Sequence, residues 1–188
     1  MKKTWMLVLC LISALSLTAC LDVDSMRVRY DLDRNLDGKL TLEFKGIHAE
    51  SEKEMQEFYG DYQGQATDIV REWGIEKPEV TLENSTASRC DGKVTGEMQS
   101  FLRSLEPILE DASYEIKKSE DSISVHIQPR KSDEPISLAL RYAGKVIKSN
   151  SQMRDQPDGY MQWDFQKLDE RGIEFELDLA GEEKGEKQ

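Results

Sequence analysis

The stretch "DLDRNLDGKLTLEF", residues 31–44, decides how the rest of the chain is read. Counted from Asp33, oxygen-bearing side chains fall at loop positions one, three, five and nine (Asp33, Asn35, Asp37, Thr41), and Gly38 stands at position six, which is most of an EF-hand calcium loop. Position twelve, where the bidentate glutamate belongs, is Phe44, and Glu43 misses it by one. The flanks are wrong as well. Met26, Val28, Tyr30 and Leu32 alternate with Arg27, Arg29 and Asp31, and Leu40, Leu42 and Phe44 alternate with Thr41, Glu43 and Lys45. A period of two belongs to half-buried strands, not helices, so the stretch reads as a β-hairpin with Asp37-Gly38 at its tip. Asp31, Asp33 and Asp37 suit at most a weakly held cation at the rim of a turn, and no metal site is assigned.

Working outward, "SEKEMQEFYGDYQGQATDIVREWG" predicts the main helix. Ser51 and Glu54 form a capping box, Met55, Phe58, Tyr59, Tyr62, Ala66, Ile69, Val70 and Trp73 recur at helical spacing, and Gly74 stands where a helix ends. Gly60 and Gly64 inside it predict a kink. "PEVTLENSTASRCDGKVTGEM" reads as two strands around a second Asp-Gly turn, Asp91-Gly92. "QSFLRSLEPILEDA" reads as a short amphipathic helix, despite Pro107, with Phe101, Leu102, Leu105, Ile108 and Leu109 on one face. The remainder is β: a hairpin in which Tyr114, Ile116, Ile123, Val125 and Ile127 alternate, then strand segments in "ISLALRYAGKVIKSN", "GYMQWDFQ" and "GIEFELDLA", with turns near Asp158-Gly159 and Arg171-Gly172. The fold class expected is α+β, an antiparallel, hairpin-rich β-sheet packed by one long and one short α-helix.

The first twenty residues, "MKKTWMLVLCLISALSLTAC", place the chain. Lys2 and Lys3 precede an apolar run from Trp5 to Leu17, the layout of a bacterial secretory signal. Leu17-Thr18-Ala19-Cys20 fits a lipobox, whose cysteine accepts a diacylglyceryl group. Acyl chains such as palmitate on Cys20 would anchor the chain, because each buried methylene contributes about 0.8 kcal/mol and two or three chains exceed what one myristoyl supplies. Leu21, rather than aspartate, follows the cysteine; the expected location is the outer membrane in a Gram-negative cell and the outer face of the plasma membrane in a Gram-positive one. The resulting organisation is a signal peptide over 1–19, a lipidated tether over 20–24, one α+β ectodomain over 25–180 and a charged, solvated tail over 181–188.

Composition removes some functions and weakens others. The 188 residues carry a formal net charge of −12, which becomes more negative once Lys2 and Lys3 leave with the signal. Such a surface repels nucleic acid over roughly one Debye length, about 8 Å, so no nucleic-acid partner is expected. Cys10 leaves with the signal and lipid consumes Cys20, so Cys90 has no partner for a disulfide within the mature chain. His48 and His126 are the two histidines, and neither has a local catalytic context. No nucleophile elbow, zinc-type spacing or phosphate loop stands out. The expectation is a non-catalytic protein without a cofactor; a hydrolase ranks behind it.

The run from Gly144 to Ala180, "GKVIKSNSQMRDQPDGYMQWDFQKLDERGIEFELDLA", resembles the closing segment of the LppM-like lipoprotein domain of mycobacteria and other bacteria. The shared features are a Gly-Lys-Val turn, a small polar stretch, an Asp-Gly turn, an aromatic Trp-Asx strand and a final apolar strand. The lipobox cysteine followed by a strand, Asp-Gly and a second strand is similar to the opening half of that pattern. The resemblance implies a compact α+β ectodomain suspected of binding lipids or glycolipids, with no catalytic residues to carry over. Many members have a transmembrane segment after the domain, where this chain has a charged tail. The candidate ligand groove takes Phe58, Tyr62, Ile69 and Trp73 from the helix and Tyr142 and Trp163 from the strands. Packing alone also explains an aromatic stripe at helical spacing. The expected partners are the membrane, through the diacylglyceryl cysteine, and a lipid or another envelope component; the alternative is a structural or assembly subunit of an envelope complex.

Overall fold

The computed structural model describes residues 21–110, 112–129, 135–152 and 159–180. The expected signal peptide over 1–19, the expected lipidation site Cys20 and residues 181–188 lie outside them. Among these residues, eleven strands and three α-helices follow one another as β1 (Leu21–Asp22), β2 (Ser25–Leu32), β3 (Gly38–Ala49), α1 (Glu52–Glu72), β4 (Ile75–Glu83), β5 (Arg89–Met98), α2 (Phe101–Ser104), α3 (Glu106–Leu109), β6 (Ser113–Lys118), β7 (Ser122–Gln128), β8 (Ile136–Tyr142), β9 (Val146–Ser149), β10 (Met161–Asp164) and β11 (Ile173–Asp178), with a 3-10 turn at Phe165–Lys167. The fold is α+β. The strands form two sheets rather than one: a large sheet in the order β10-β8-β2-β3-β5-β4, with β1 added to β3, and a small sheet in the order β6-β7-β11-β9. The β2–β8 pair is parallel, and every other pairing among the described residues is antiparallel.

The opening stretch is a hairpin, with β2 and β3 paired from Ser25↔Lys45 to Leu32↔Gly38. Its turn is held by the carboxylate that a calcium loop would spend on an ion. Asp33 Oδ1 accepts the N–H of Asn35 at 2.7 Å and of Asp37 at 3.0 Å. The left-handed residue is Leu36, at φ 68°, with its side chain buried. Gly38, at φ 153°, has no room for a side chain, since a Cβ would stand 1.9 Å from the Asp31 carbonyl oxygen.

Helix α1 begins at the reciprocal capping box. Ser51 Oγ accepts the Glu54 N–H, and the Glu54 carboxylate accepts the Ser51 N–H at 3.1 Å. The helix kinks at Asp61 (φ −134°, ψ 22°), immediately after Gly60, and ends at Gly74, whose φ of +60° stops it. Met55, Phe58, Ala66, Ile69 and Trp73 form its buried stripe, which lies on the β3-β5-β4 half of the large sheet.

The register gathers the inward side chains of the large sheet into rows. One row runs Trp163, Leu138, Val28, Leu42, Val94, Val80; the next runs Met161, Leu140, Tyr30, Leu40, Gly96; the last runs Ile136, Met26, Phe44, Gly92, Leu82. The small sheet covers the β10-β8-β2 side. Phe101 stands edge-on to Tyr30 at 5.4 Å between ring centres and 6.3 Å from Phe175, and Phe175 lies 5.6 Å from Trp163. Buried polar tips are paired across this seam. Tyr30 donates to the Ser104 carbonyl at 2.7 Å, Tyr142 to the Asp178 carbonyl at 2.6 Å, and Trp163 Nε1 to Asn150 Oδ1 at 2.9 Å.

Several expectations are corrected. Residues 21–24 are not a free tether: Leu21 and Asp22 pair with Ala49 and His48, Leu21 is 2 % exposed, and the Asp24 N–H donates to the Lys45 carbonyl. An apolar side chain beside an open β3 edge gains more by pairing than by solvation. Asp91-Gly92 is not a turn but lies within β5; the turn is further upstream, where Asn84 takes φ 52°. Asp91 instead braces the β3 bulge, accepting the Gly46 N–H and a Lys45 Nζ proton at 2.9 Å each and the Asn84 amide at 2.7 Å. The short helix is two single turns meeting at Leu105, because Pro107 fits only the first turn of a new helix. Leu102 and Tyr114 are exposed, the latter on the edge strand β6.

Phe175→Ala should destabilise the protein by about 3–5 kcal/mol in urea unfolding, because its ring joins the two sheets, whereas Tyr114→Ala should stay within about 0.5 kcal/mol. The Asp91 carboxyl is held down at about 2 by the Gly46 N–H first, then by Lys45 and Asn84. A carboxyl lowered on folding contributes stability that is complete above its ordinary value near 4 and is lost as the pH falls toward 2. Asp91→Asn should therefore lower the urea midpoint at pH 7, and its deficit against the parent should shrink between pH 4 and pH 2.

Candidate functional site

Between α1 and the large sheet the packing is incomplete. The last strand row described above, Ile136, Met26, Phe44, Gly92 and Leu82, forms the floor of an apolar cleft, flanked by Val94 and Val80 of the first row. Phe58, Tyr62, Ala66 and Ile69 of α1 form the roof, and Leu21, Val23 and Ser25 form one wall. The volume open to the centres of solvent molecules is about 70 Å³. One water needs roughly 10–15 Å³ on that measure, so the cleft admits a row of about five such spheres. A space of that size with a mainly apolar lining suits part of a hydrocarbon chain.

Gly92 lies in the floor of the slot. A side chain there would not fit, because its Cβ would stand 2.8 Å from the Ile47 terminal methyl and 3.8 Å from both Phe44 and Leu82, so the glycine lets Ile47 pack down onto the floor. The glycine is in an ordinary strand, so what it supplies is missing volume rather than an unusual backbone. The kink after Gly60 lies over the same region, where α1 carries Phe58 on one side of the bend and Tyr62 and Ala66 on the other.

Of the residues expected in the groove, Phe58, Tyr62 and Ile69 line the cleft. Trp73, Tyr142 and Trp163 do not. Trp73 is buried at the end of α1, with its indole N–H unpartnered. Tyr142 and Trp163 belong to the seam with the small sheet, where their polar tips are committed to Asp178 and Asn150. Cys20 lies outside the described residues, but Leu21, the next residue, is part of the cleft wall.

Sequence reasoning passed over Gly92, which resembles a turn signal, and Leu21 and Val23, which resemble a linker. A trace of the latter is visible: Leu21, Val23 and Ser25 alternate in odd phase and Met26, Val28 and Tyr30 in even phase. A change of phase in a strand marks an irregularity, not an unpaired segment.

Groups capable of other chemistry are engaged elsewhere. Cys90 is 1 % exposed, and burial pushes its thiol up, which keeps it a neutral thiol at physiological pH. Tyr59, beside it, donates to the carbonyls of Thr86 and Arg89 at 2.7 and 3.0 Å. A ring nitrogen of His48 is hydrogen-bonded to the Gly46 carbonyl and one of His126 to the Arg171 carbonyl. On the outer face of the large sheet Tyr160 donates to Asp31 and lies under the guanidinium groups of Arg29 and Arg141, at 5.4 and 5.0 Å. Burial first, then Asp31, pushes the Tyr160 phenol up to about 12. Arg141 also pairs with Asp31 at 2.6 Å, so this cluster is closed on itself. Among the described residues no three His, Cys, Asp or Glu converge as a metal site, and no helix is long and apolar enough to cross a membrane.

No protein-family model matches the chain, and no curated protein matches it. Among solved structures, the folded domain of the Mycobacterium tuberculosis LppM protein, determined by NMR, aligns with 82% of this chain and 87% of its own at a TM-score of 0.43 and 8% sequence identity. A likeness of that degree assigns neither a family nor a function to this chain.

Proposed function

We propose that this is a bacterial envelope lipoprotein, anchored through a diacylglyceryl group on Cys20, whose domain is non-catalytic and holds a single acyl chain of a lipid or glycolipid in the cleft beneath α1. The observation that carries the reading is the slot beneath α1: lined mainly by apolar side chains and walled in part by Leu21 and Val23, which follow the lipobox cysteine. An apolar slot of this width gains from methylene groups and offers little to polar ones. The engaged state of Cys90, His48 and His126 supports a binding role over hydrolysis.

The test uses the mature chain made without residues 1–19 and with Cys20→Ser, so that no lipid is attached. cis-Parinaric acid, a fatty acid that fluoresces in apolar surroundings, should bind it at one molecule per chain and be displaced by palmitate. Val80→Trp, at a partly exposed position at the side of the floor, should weaken that binding at least tenfold and leave the urea midpoint nearly unchanged. Equal binding by this variant would place the fatty acid elsewhere, and absence of binding by the parent would remove the reading.

A further inference from the structure

We infer that the acyl chain in the cleft is one of the protein's own, carried on Cys20 of the same molecule. The inference rests on the proposed lipidation and acyl-chain reading and names the source of the chain. Three observations lead to it.

The first is adjacency. Leu21 is buried at 2 % exposure and lines the cleft together with Val23 and Ser25, so whatever the sulfur of Cys20 carries starts one residue from the wall. The rotatable bonds of a glyceryl thioether let a chain turn over the end of a strand.

The second is the absence of slack. Leu21 and Asp22 are paired with Ala49 and His48, and the Asp24 N–H is bonded to the Lys45 carbonyl, so the chain is held against the sheet from the residue that follows Cys20. A ligand joined to its site through so few bonds has an effective concentration of about millimolar or more, against which a free lipid must compete.

The third is size. A slot of about 70 Å³ has the volume for part of one chain. Of the two or three chains on a lipidated cysteine, one would be stowed and the others would stay in the bilayer. The domain would then sit with the cleft wall toward the membrane, its orientation set by its own lipid.

The experiment uses the full lipidated protein, one copy per nanodisc of phosphatidylethanolamine and phosphatidylglycerol. Tyr62, on the cleft roof, is replaced by the photoreactive p-benzoyl-phenylalanine, and Val80, on the floor, is replaced in the same way in a second protein as a guard against local misfolding. After irradiation and proteolysis, mass spectrometry should find the peptide bearing position 62 or 80 joined to the lipidated Cys20 peptide as the main cross-linked product. Cross-links to free phospholipid in place of that product would overturn the inference and leave the acyl-chain cleft standing. No lipid adduct at either position would overturn both.

Discussion

The large sheet presents one apolar face that no single element covers. Its rows run across six strands, from Trp163 to Val80 in one case, and each interior side chain needs a neighbour above it to leave water. Helix α1 covers the β3-β5-β4 half, and the small sheet covers the half around β8 and β2. The kinked helix, the aromatic seam of Tyr30, Phe101, Trp163 and Phe175, and the cleft under α1 all follow from this divided cover. Side chains of the small sheet reach the face directly, whereas a helix crossing the pleat touches only where its stripe falls. The slot lies between that stripe and the row that holds Met26, Phe44 and Gly92.

What was legible in the sequence is what local chemistry determines. Alternation over residues 26–45 specifies the first hairpin regardless of what covers it, and Ser51, Glu54 and Gly74 mark both ends of α1 through hydrogen bonds and backbone angles made within a few residues. The misreadings share a cause. Asp91-Gly92 has the composition of a turn, yet its aspartate is bound to a bulge on another strand and its glycine makes room for Ile47 and Phe44, partners distant in sequence. Tyr142 and Trp163 have the right side chains for a groove, but the layer that covers a strand is decided by topology, which periodicity does not report. Phe58, Tyr62 and Ile69 of the helix lie at the cleft, whereas Trp73 on the same helix packs beyond it and Tyr142 and Trp163 belong to the other layer.

The seam with the small sheet is specified by polar tips as well as apolar bulk. Asn150 accepts from Trp163 Nε1 and from the Glu174 N–H through the same oxygen, and donates to the Gly172 carbonyl, so one amide fixes the height of β11 relative to β10. Most ion pairs, by contrast, sit on exposed side chains such as Lys53–Glu57 and Lys77–Glu97 and contribute little to stability. The acidic surface keeps the molecule dispersed, while a few buried hydrogen bonds decide how its layers meet.

The parallel pairing of β2 with β8 has a temporal consequence. The first hairpin has β3 on one side of β2, but the other side waits for residues 136–142, and Met26 meets Ile136 only when most of the polypeptide has been made. Long-range parallel pairing of this kind slows folding, because the loop must close before the contact rewards it. Until that segment arrives, the β8 side of β2 keeps its backbone N–H and C=O groups unpaired, so the centre of the large sheet is among the last parts of the ladder to close.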